Sequence, residues 1–217
     1  MIVLHHCHET RSMRVLWLLC ELGVDFEVVE HPFDRSLRAP EFLARSPAGR
    51  VPALEIDGRC VFESLAMMQI LCARFPGPLG RAVGDTEWED WVMWLHFAET
   101  LSQHTAALTQ QHIVLYDDAM RSPVVMKLEA ARAGKCYDAI ERRLEGRGYL
   151  LGSGFSAADI AVGQAVYMAS HFVRVAGRPR LAAWYGTITA RPGFRAALPP
   201  EGAARLYARE FYEAWER

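Results

Sequence analysis

Glu63-Ser64 stands directly before a stretch with Leu65, Met68 and Cys72 at helical spacing, so the serine lies where a helix begins. A carboxylate at that point is a partner for an ammonium group. A serine hydroxyl, together with the first N–H groups of a helix, is a partner for a carboxylate. The two residues thus suit the amino-acid end of a small peptide. Upstream, Val51-Pro52 opens a β-type run, where a proline needs no N–H partner. Each residue alone has a plainer reading: Ser64 as a helix cap, Glu63 as a solvated charge, Pro52 as an ordinary strand-start proline.

A third segment, Cys7-His8-Glu9-Thr10-Arg11-Ser12, carries a thiol, two hydroxyls and a guanidinium between an apolar run and a helical pattern. The neighbouring His5-His6-Cys7-His8 invites a metal reading. Adjacent strand residues point to opposite faces, so at most two of the four converge, and no further ligand pair at a recognised spacing completes a site. No metal is expected.

The elements that must position these groups alternate in the first third of the chain. Met1–His6 has strand length. Met13–Leu22 places Val15, Leu18, Leu19 and Leu22 on one helical face, and Gly23 stops it. Asp25–Glu30 reads as a second strand. Val51–Ile56 and Arg59–Phe62 flank Asp57-Gly58, a dipeptide suited to a type I′ hairpin turn. A helix follows from Ser64 to about Phe75. A helical crossover followed by a hairpin predicts a mixed four-stranded sheet.

After Pro76-Gly77-Pro78-Leu79-Gly80 the pattern becomes wholly helical. Trp88, Trp91, Leu95 and Ala98 mark a long helix reaching about Val114, and Ser122-Pro123 caps another carrying Leu128, Ile140 and Leu144. In Phe155-Ser156-Ala157-Ala158-Asp159-Ile160, Ser156 and Asp159 form a capping box flanked by a hydrophobic staple. The helix after it is nearly all apolar, which marks a folding element. The expected division is an α/β domain at 1–75, a linker at 76–86 and an all-α bundle at 87–217.

Composition narrows the function. A formal net charge of -2 offers no basic stripe for nucleic acid. No run approaches the roughly 18 apolar residues of a membrane span, and Met1–His6 is no secretory leader. Five scattered cysteines without a CxxC pair suit a reducing compartment, so cytoplasm is the expected location.

The arrangement resembles the cytosolic glutathione transferases, of bacterial type and with the class open. The residues that carry the likeness are Arg11–Trp17, Ser46–Leu54, Glu63-Ser64 and Phe155–Asp159, within an organisation spanning essentially the whole chain. The resemblance implies a thioredoxin-like N-terminal domain, a helical-bundle C-terminal domain and glutathione as co-substrate. It implies that Glu63 and Ser64 hold the γ-glutamyl end, that a cis Pro52 lets Val51 present its backbone to the cysteinyl unit, and that Arg50 meets the glycyl carboxylate or steers the peptide. The thiolate would be stabilised by a donor in the first turn, with Thr10 leading and Ser12 and Arg11 as alternatives. A hydrophobic electrophile would bind between the domains, against Trp94, Phe97, Leu101 and His104.

A transferase of this kind serves detoxification. Homodimerisation is also implied, with Met67, Met68 and the tryptophan-rich helix as contacts. Two rival readings keep the fold. One is a non-catalytic binding protein like the stringent starvation proteins; the other is a glutathione-dependent disulfide reductase using Cys7.

Overall fold

The computed structural model describes residues 1–213, and the chain divides into two compact units. The first comprises Met1–Trp88 and Ala190–Leu206; the second comprises Glu89–Thr189 and the segment from Tyr207.

In the first unit, β1 (Ile2–His6), β2 (Glu27–Glu30), β3 (Ala53–Ile56) and β4 (Arg59–Phe62) form one sheet in the order β2-β1-β3-β4. β1 pairs parallel with β2 and antiparallel with β3, and β3 pairs antiparallel with β4. All five residues of β1 are buried, as a strand paired on both sides requires, whereas edge strand β2 is exposed throughout and shorter than Asp25–Glu30. The crossover from β1 to β2 is α1 (Ser12–Leu22), which buries Val15, Leu18 and Leu19 and ends at Gly23 in the left-handed conformation. Asp57 (φ 50°) and Gly58 (φ 76°) both have the positive φ of a type I′ turn and fix the hairpin register. After β4 comes α3 (Ser64–Arg74).

A short helix, α2 (Pro40–Leu43), precedes β3, with proline in its first turn and buried Phe42 as its anchor. Its four residues are too few to show a hydrophobic period. Met67 and Met68 are fully buried, which corrects their expected role as exposed dimer contacts. They fill the core of the chain itself.

The second unit takes α4 (Trp88–Thr109) from Glu89 onward, continued by a π-helical turn at Gln110–Val114, then α5 (Pro123–Arg143), α6 (Ala157–Ala169) and α7 (Pro179–Thr189). Ser122 caps α5 by accepting from Val125 N–H at 3.3 Å. The capping box of α6 is present, and its carboxylate does more than cap. Asp159 accepts from Ser156 N–H at 2.9 Å, from Leu150 N–H at 2.9 Å and from the Trp184 indole at 2.9 Å. Without exposed surface, it ties the start of α6 to the preceding loop and to α7.

The boundary at 87–217 needs correction. Residues 190–206 belong to the first unit, where α8 (Pro192–Ala197) packs on α1. Arg191 forks onto Glu21 at 2.9 and 2.7 Å, and Phe194 meets Trp17 edge to face at 5.0 Å. Gly193 permits the approach, because a Cβ there would lie 2.6 Å from the Glu21 carboxylate. The segment expected as a linker also stays with the first unit, and Leu79 within it is buried.

Candidate functional site

Strand register gathers the predicted groups at one end of the sheet. His5 pairs with Ala53, and Ala53 pairs with Phe62, so these three residues form one row across β1, β3 and β4. Beyond that row, β1 runs into the turn 7–11, β3 is preceded by Val51-Pro52, and β4 is followed by Glu63-Ser64. Three segments far apart in sequence thus leave the sheet at the same edge. Cys7, Leu37, Phe42, Val51 and Ala53 form a buried cluster beneath them.

The Val51–Pro52 peptide bond is cis. Arg50, just before it, is exposed, and its carbonyl accepts from the Ser46 hydroxyl at 2.7 Å. Glu63 is exposed and holds φ 74°, ψ 105° at the N-cap of α3, with no side-chain capping bond. A non-glycine residue there carries strain of about 1–3 kcal/mol. Ser64 is the first residue of α3 and buried. The plainer account of Ser64 as the cap therefore fails, since the cap position falls to Glu63.

The turn after β1 is a closed polar net. The Thr10 hydroxyl donates to Cys7 O at 2.8 Å, lies 2.8 Å from the Ser12 hydroxyl and accepts from Ser12 N–H at 3.2 Å. Ser12 Oγ accepts from Cys7 N–H at 3.1 Å, and stands 2.9 Å from Cys7 O and 2.8 Å from His6 Nδ1. Thr10 and Ser12 are both buried, while Arg11 between them is half-buried. Glu9 (φ 55°) and Arg14 are also buried here, two charged residues to which the sequence motifs around them assigned no role of their own.

The histidines separate by face, as strand alternation requires. His5 meets His31 at 2.8 Å and Glu55 at 2.9 Å, with Phe42 edge-on at 6.0 Å. His6 turns the other way, toward Ser12 and toward His8, whose Nδ1 lies 3.2 Å from His6 Nε2. Among the described residues, no three His, Cys, Asp or Glu side chains are grouped to hold a metal ion. Burial, then the neighbouring His8, brings the His6 pKa down to about 4. Burial, then the carboxylates of Asp34, Glu30 and Glu9, pushes the Cys7 thiol up to about 11. That environment is the reverse of an electropositive setting that would activate a cysteine.

In the second unit the four expected electrophile-wall residues do not act together. Phe97 and His104 line an open pocket of about 530 Å³ with Arg132, Lys135 and Cys136 on α5. Leu101 has no exposed surface and Trp94 is buried with its ring 4.9 Å from Phe97. Leu101 is thereby removed from the wall, because it faces the core side of α4. His104 Nδ1 meets Glu129 at 2.6 Å, a partner its position on α4 did not disclose.

The chain matches two family models in order: "Glutathione S-transferase, N-terminal domain" over residues 4–79 and "Glutathione S-transferase, C-terminal domain" over residues 123–187. It is 32% identical over 209 residues to Glutathione S-transferase 3 of Zea mays, covering 86% of this chain and 89% of that one. Among solved structures, a sphingomonad glutathione S-transferase complexed with glutathione superposes with a TM-score of 0.78 at 27% identity, covering 93% of this chain and 100% of that one. A glutathione transferase from Phanerochaete chrysosporium with oxidized glutathione reaches a TM-score of 0.81 at 24% identity over 90% and 92% of the chains, a likeness of fold. With a thioredoxin-like sheet, a helical second unit and a maize relative matched along most of both chains, this protein belongs to the glutathione S-transferase family.

Proposed function

We propose that this enzyme binds glutathione at the sheet edge and transfers its thiolate to a hydrophobic electrophile. The carrying observation is Glu63, held at φ 74° with an exposed carboxylate and no capping duty, beside a serine that opens α3. Strain kept at a position with no packing role suits a site that must present a backbone group and a charge together. Glu63 takes the ammonium of the γ-glutamyl unit, and Ser64 with the first turn of α3 takes the adjacent carboxylate. Val51 offers its backbone to the cysteinyl unit, with Pro52 setting the chain direction, and Arg50 serves the glycyl carboxylate.

Thr10 is the thiolate donor. Its hydrogen rests on Cys7 O, so donation to sulfur takes a rotation of the hydroxyl. Ser12, also within reach of Cys7 O at 2.9 Å, is placed to replace that bond. Arg11, at the same turn, adds positive charge near the sulfur. The electrophile wall falls to Phe97 and His104 on α4, with Trp94 behind them. The raised pKa of Cys7 supports conjugation over a reductase that would use this cysteine. The reading extends to a cytoplasmic homodimer with a detoxifying role, supported by family membership; no described helix is long and apolar enough to cross a membrane.

Calorimetric titration with glutathione, followed by an electrophile screen on the same sample, tests the proposal. Thr10→Ala is expected to lower conjugation roughly a hundredfold while leaving glutathione affinity near normal. Full activity in that variant removes Thr10, and loss of activity in Cys7→Ser would restore the reductase.

A further inference from the structure

The turn hydroxyls do not end at Ser12. Ser12 Oγ lies 2.8 Å from His6 Nδ1, His6 Nε2 lies 3.2 Å from His8 Nδ1, and His8 Nε2 lies 3.4 Å from the Glu30 carboxylate. With Thr10 Oγ1 2.8 Å from Ser12 Oγ, five side chains form an unbranched series. It starts at a buried hydroxyl and finishes at a carboxylate on exposed strand β2. Every interior member can both donate and accept a hydrogen bond. His8 Nε2 is a buried atom without a well-aligned partner, which leaves the outermost link the loosest.

We propose that Thr10, Ser12, His6, His8 and Glu30 form a proton wire that carries the glutathione thiol proton from the turn to the protein surface. The inference rests on the function proposed above and adds a route to it. In the starting arrangement the Thr10 hydroxyl has turned from Cys7 O to donate to Ser12, Ser12 donates to His6 Nδ1, His6 Nε2–H to His8 Nδ1, and His8 Nε2–H points toward Glu30. The S–H bond breaks as its proton passes to Thr10 Oγ1. Thr10 gives its own hydrogen to Ser12, Ser12 to His6 Nδ1, His6 from Nε2 to His8, and His8 from Nε2 to Glu30, which releases a proton to water. One proton leaves the sulfur and one reaches solvent, with no other group changed in charge. Every hydrogen bond now points inward, so the thiolate accepts from Thr10, Thr10 from Ser12 and Ser12 from His6. Reset between turnovers takes hydroxyl rotation and tautomer exchange, with no net proton.

Two observations fit a wire better than a static brace. Burial keeps His6 neutral down to about pH 4, and only the neutral ring can donate and accept at once; the imidazolium would break the series. Cys7 O, within 2.8 Å of Thr10 Oγ1 and 2.9 Å of Ser12 Oγ, gives either hydroxyl an alternative seat while the other turns. His8 faces His6 from the turn and Ser12 from α1, and Glu30 on β2 reaches it through His8. His6 and His8 are positioning and relay residues, since neither touches the sulfur in this scheme.

Stopped-flow mixing of the full chain with glutathione, reading thiolate absorbance together with an indicator dye, tests the wire. Thiolate and proton are expected to appear together, and both should slow roughly two- to threefold in D2O. Glutamine cannot exchange tautomers, so His6→Gln and His8→Gln should each slow both signals by about tenfold or more, with the final thiolate yield preserved. Added imidazole should restore the rate of His8→Ala. Circular dichroism confirms folding, and partly exposed His8 serves if His6→Gln does not fold. Wild-type rates in His8→Gln overturn the wire, as does a lower thiolate yield formed at an unchanged rate. Absence of glutathione binding to the wild-type chain by calorimetry overturns the functional reading itself, and the wire with it.

Discussion

Asp159 in the second unit and Ser12 in the first both lack exposed surface, and each gathers polar partners from several residues. They are built from opposite kinds of group. Asp159 offers only acceptor oxygens to the N–H groups of Leu150, Ser156 and Trp184, with the Ser156 hydroxyl at 3.2 Å. Each hydrogen has one place to be, and burial pushes the carboxyl pKa up against the pull of those donors. Ser12 instead meets Cys7, Thr10 and His6, and its links to Thr10 and His6 can run in either direction. A fixed hub locks structure, while a reversible one can shift protons without moving heavy atoms. The contrast separates groups that hold this fold from groups that serve its chemistry.

The largest expected effect breaks the fixed hub. Asp159→Ala leaves two backbone N–H groups and an indole buried without an acceptor, a loss of about 4 kcal/mol. Thermal unfolding should show the midpoint falling well below wild type, and an unchanged midpoint would sink the assignment. Next comes pH. His6 has a folded pKa of about 4 against an ordinary 6.5, so the unfolded chain binds a proton there more readily. Stability should therefore fall as the pH drops from 6.5 toward 4, by on the order of 3 kcal/mol from this residue. Urea unfolding across that window checks it: His6→Gln should flatten the slope, and parallel curves for variant and wild type would refute the claim.

Smaller effects sharpen the comparison at the sheet edge. Glu63→Gly relieves the positive φ and should stabilise the chain by about 1 kcal/mol. The same change should weaken glutathione binding about tenfold. Calorimetry and denaturation on one sample test both signs, and a destabilised variant would show that the strain is not real. Ser122→Ala, which removes the α5 cap in the second unit, should cost about 1 kcal/mol with glutathione affinity unchanged.

Local chemistry made much of this architecture legible from sequence. Gly23 stopping α1, Asp57-Gly58 closing the hairpin and Ser156 with Asp159 opening α6 each depend on neighbours within four residues. Glu63-Ser64 was readable as a motif, whereas the backbone strain at Glu63 was not, since no residue type there demands a positive φ. What stayed hidden depends on distant partners. Two adjacent methionines look alike in sequence whether they face solvent or, as Met67 and Met68 do, the core. Leu101 and Phe97 share a helix, yet only Phe97 reaches the pocket. His6 looked like one of four clustered ligands; strand alternation separated it from His5, and only the folded turn set it against Ser12. The return of α8 to α1 joins Arg191 to Glu21 across a gap no periodicity can bridge.

That return has a consequence for how the protein is made. The sheet and α1 leave the ribosome well before the helix that covers Trp17, which lies at Pro192–Ala197. The first unit must therefore wait, with an apolar surface uncovered, until the intervening segment Glu89–Thr189 has been made. A ribosome stalled before Pro192 would carry a sheet-forming unit without α8, a state open to aggregation and to capture by chaperones.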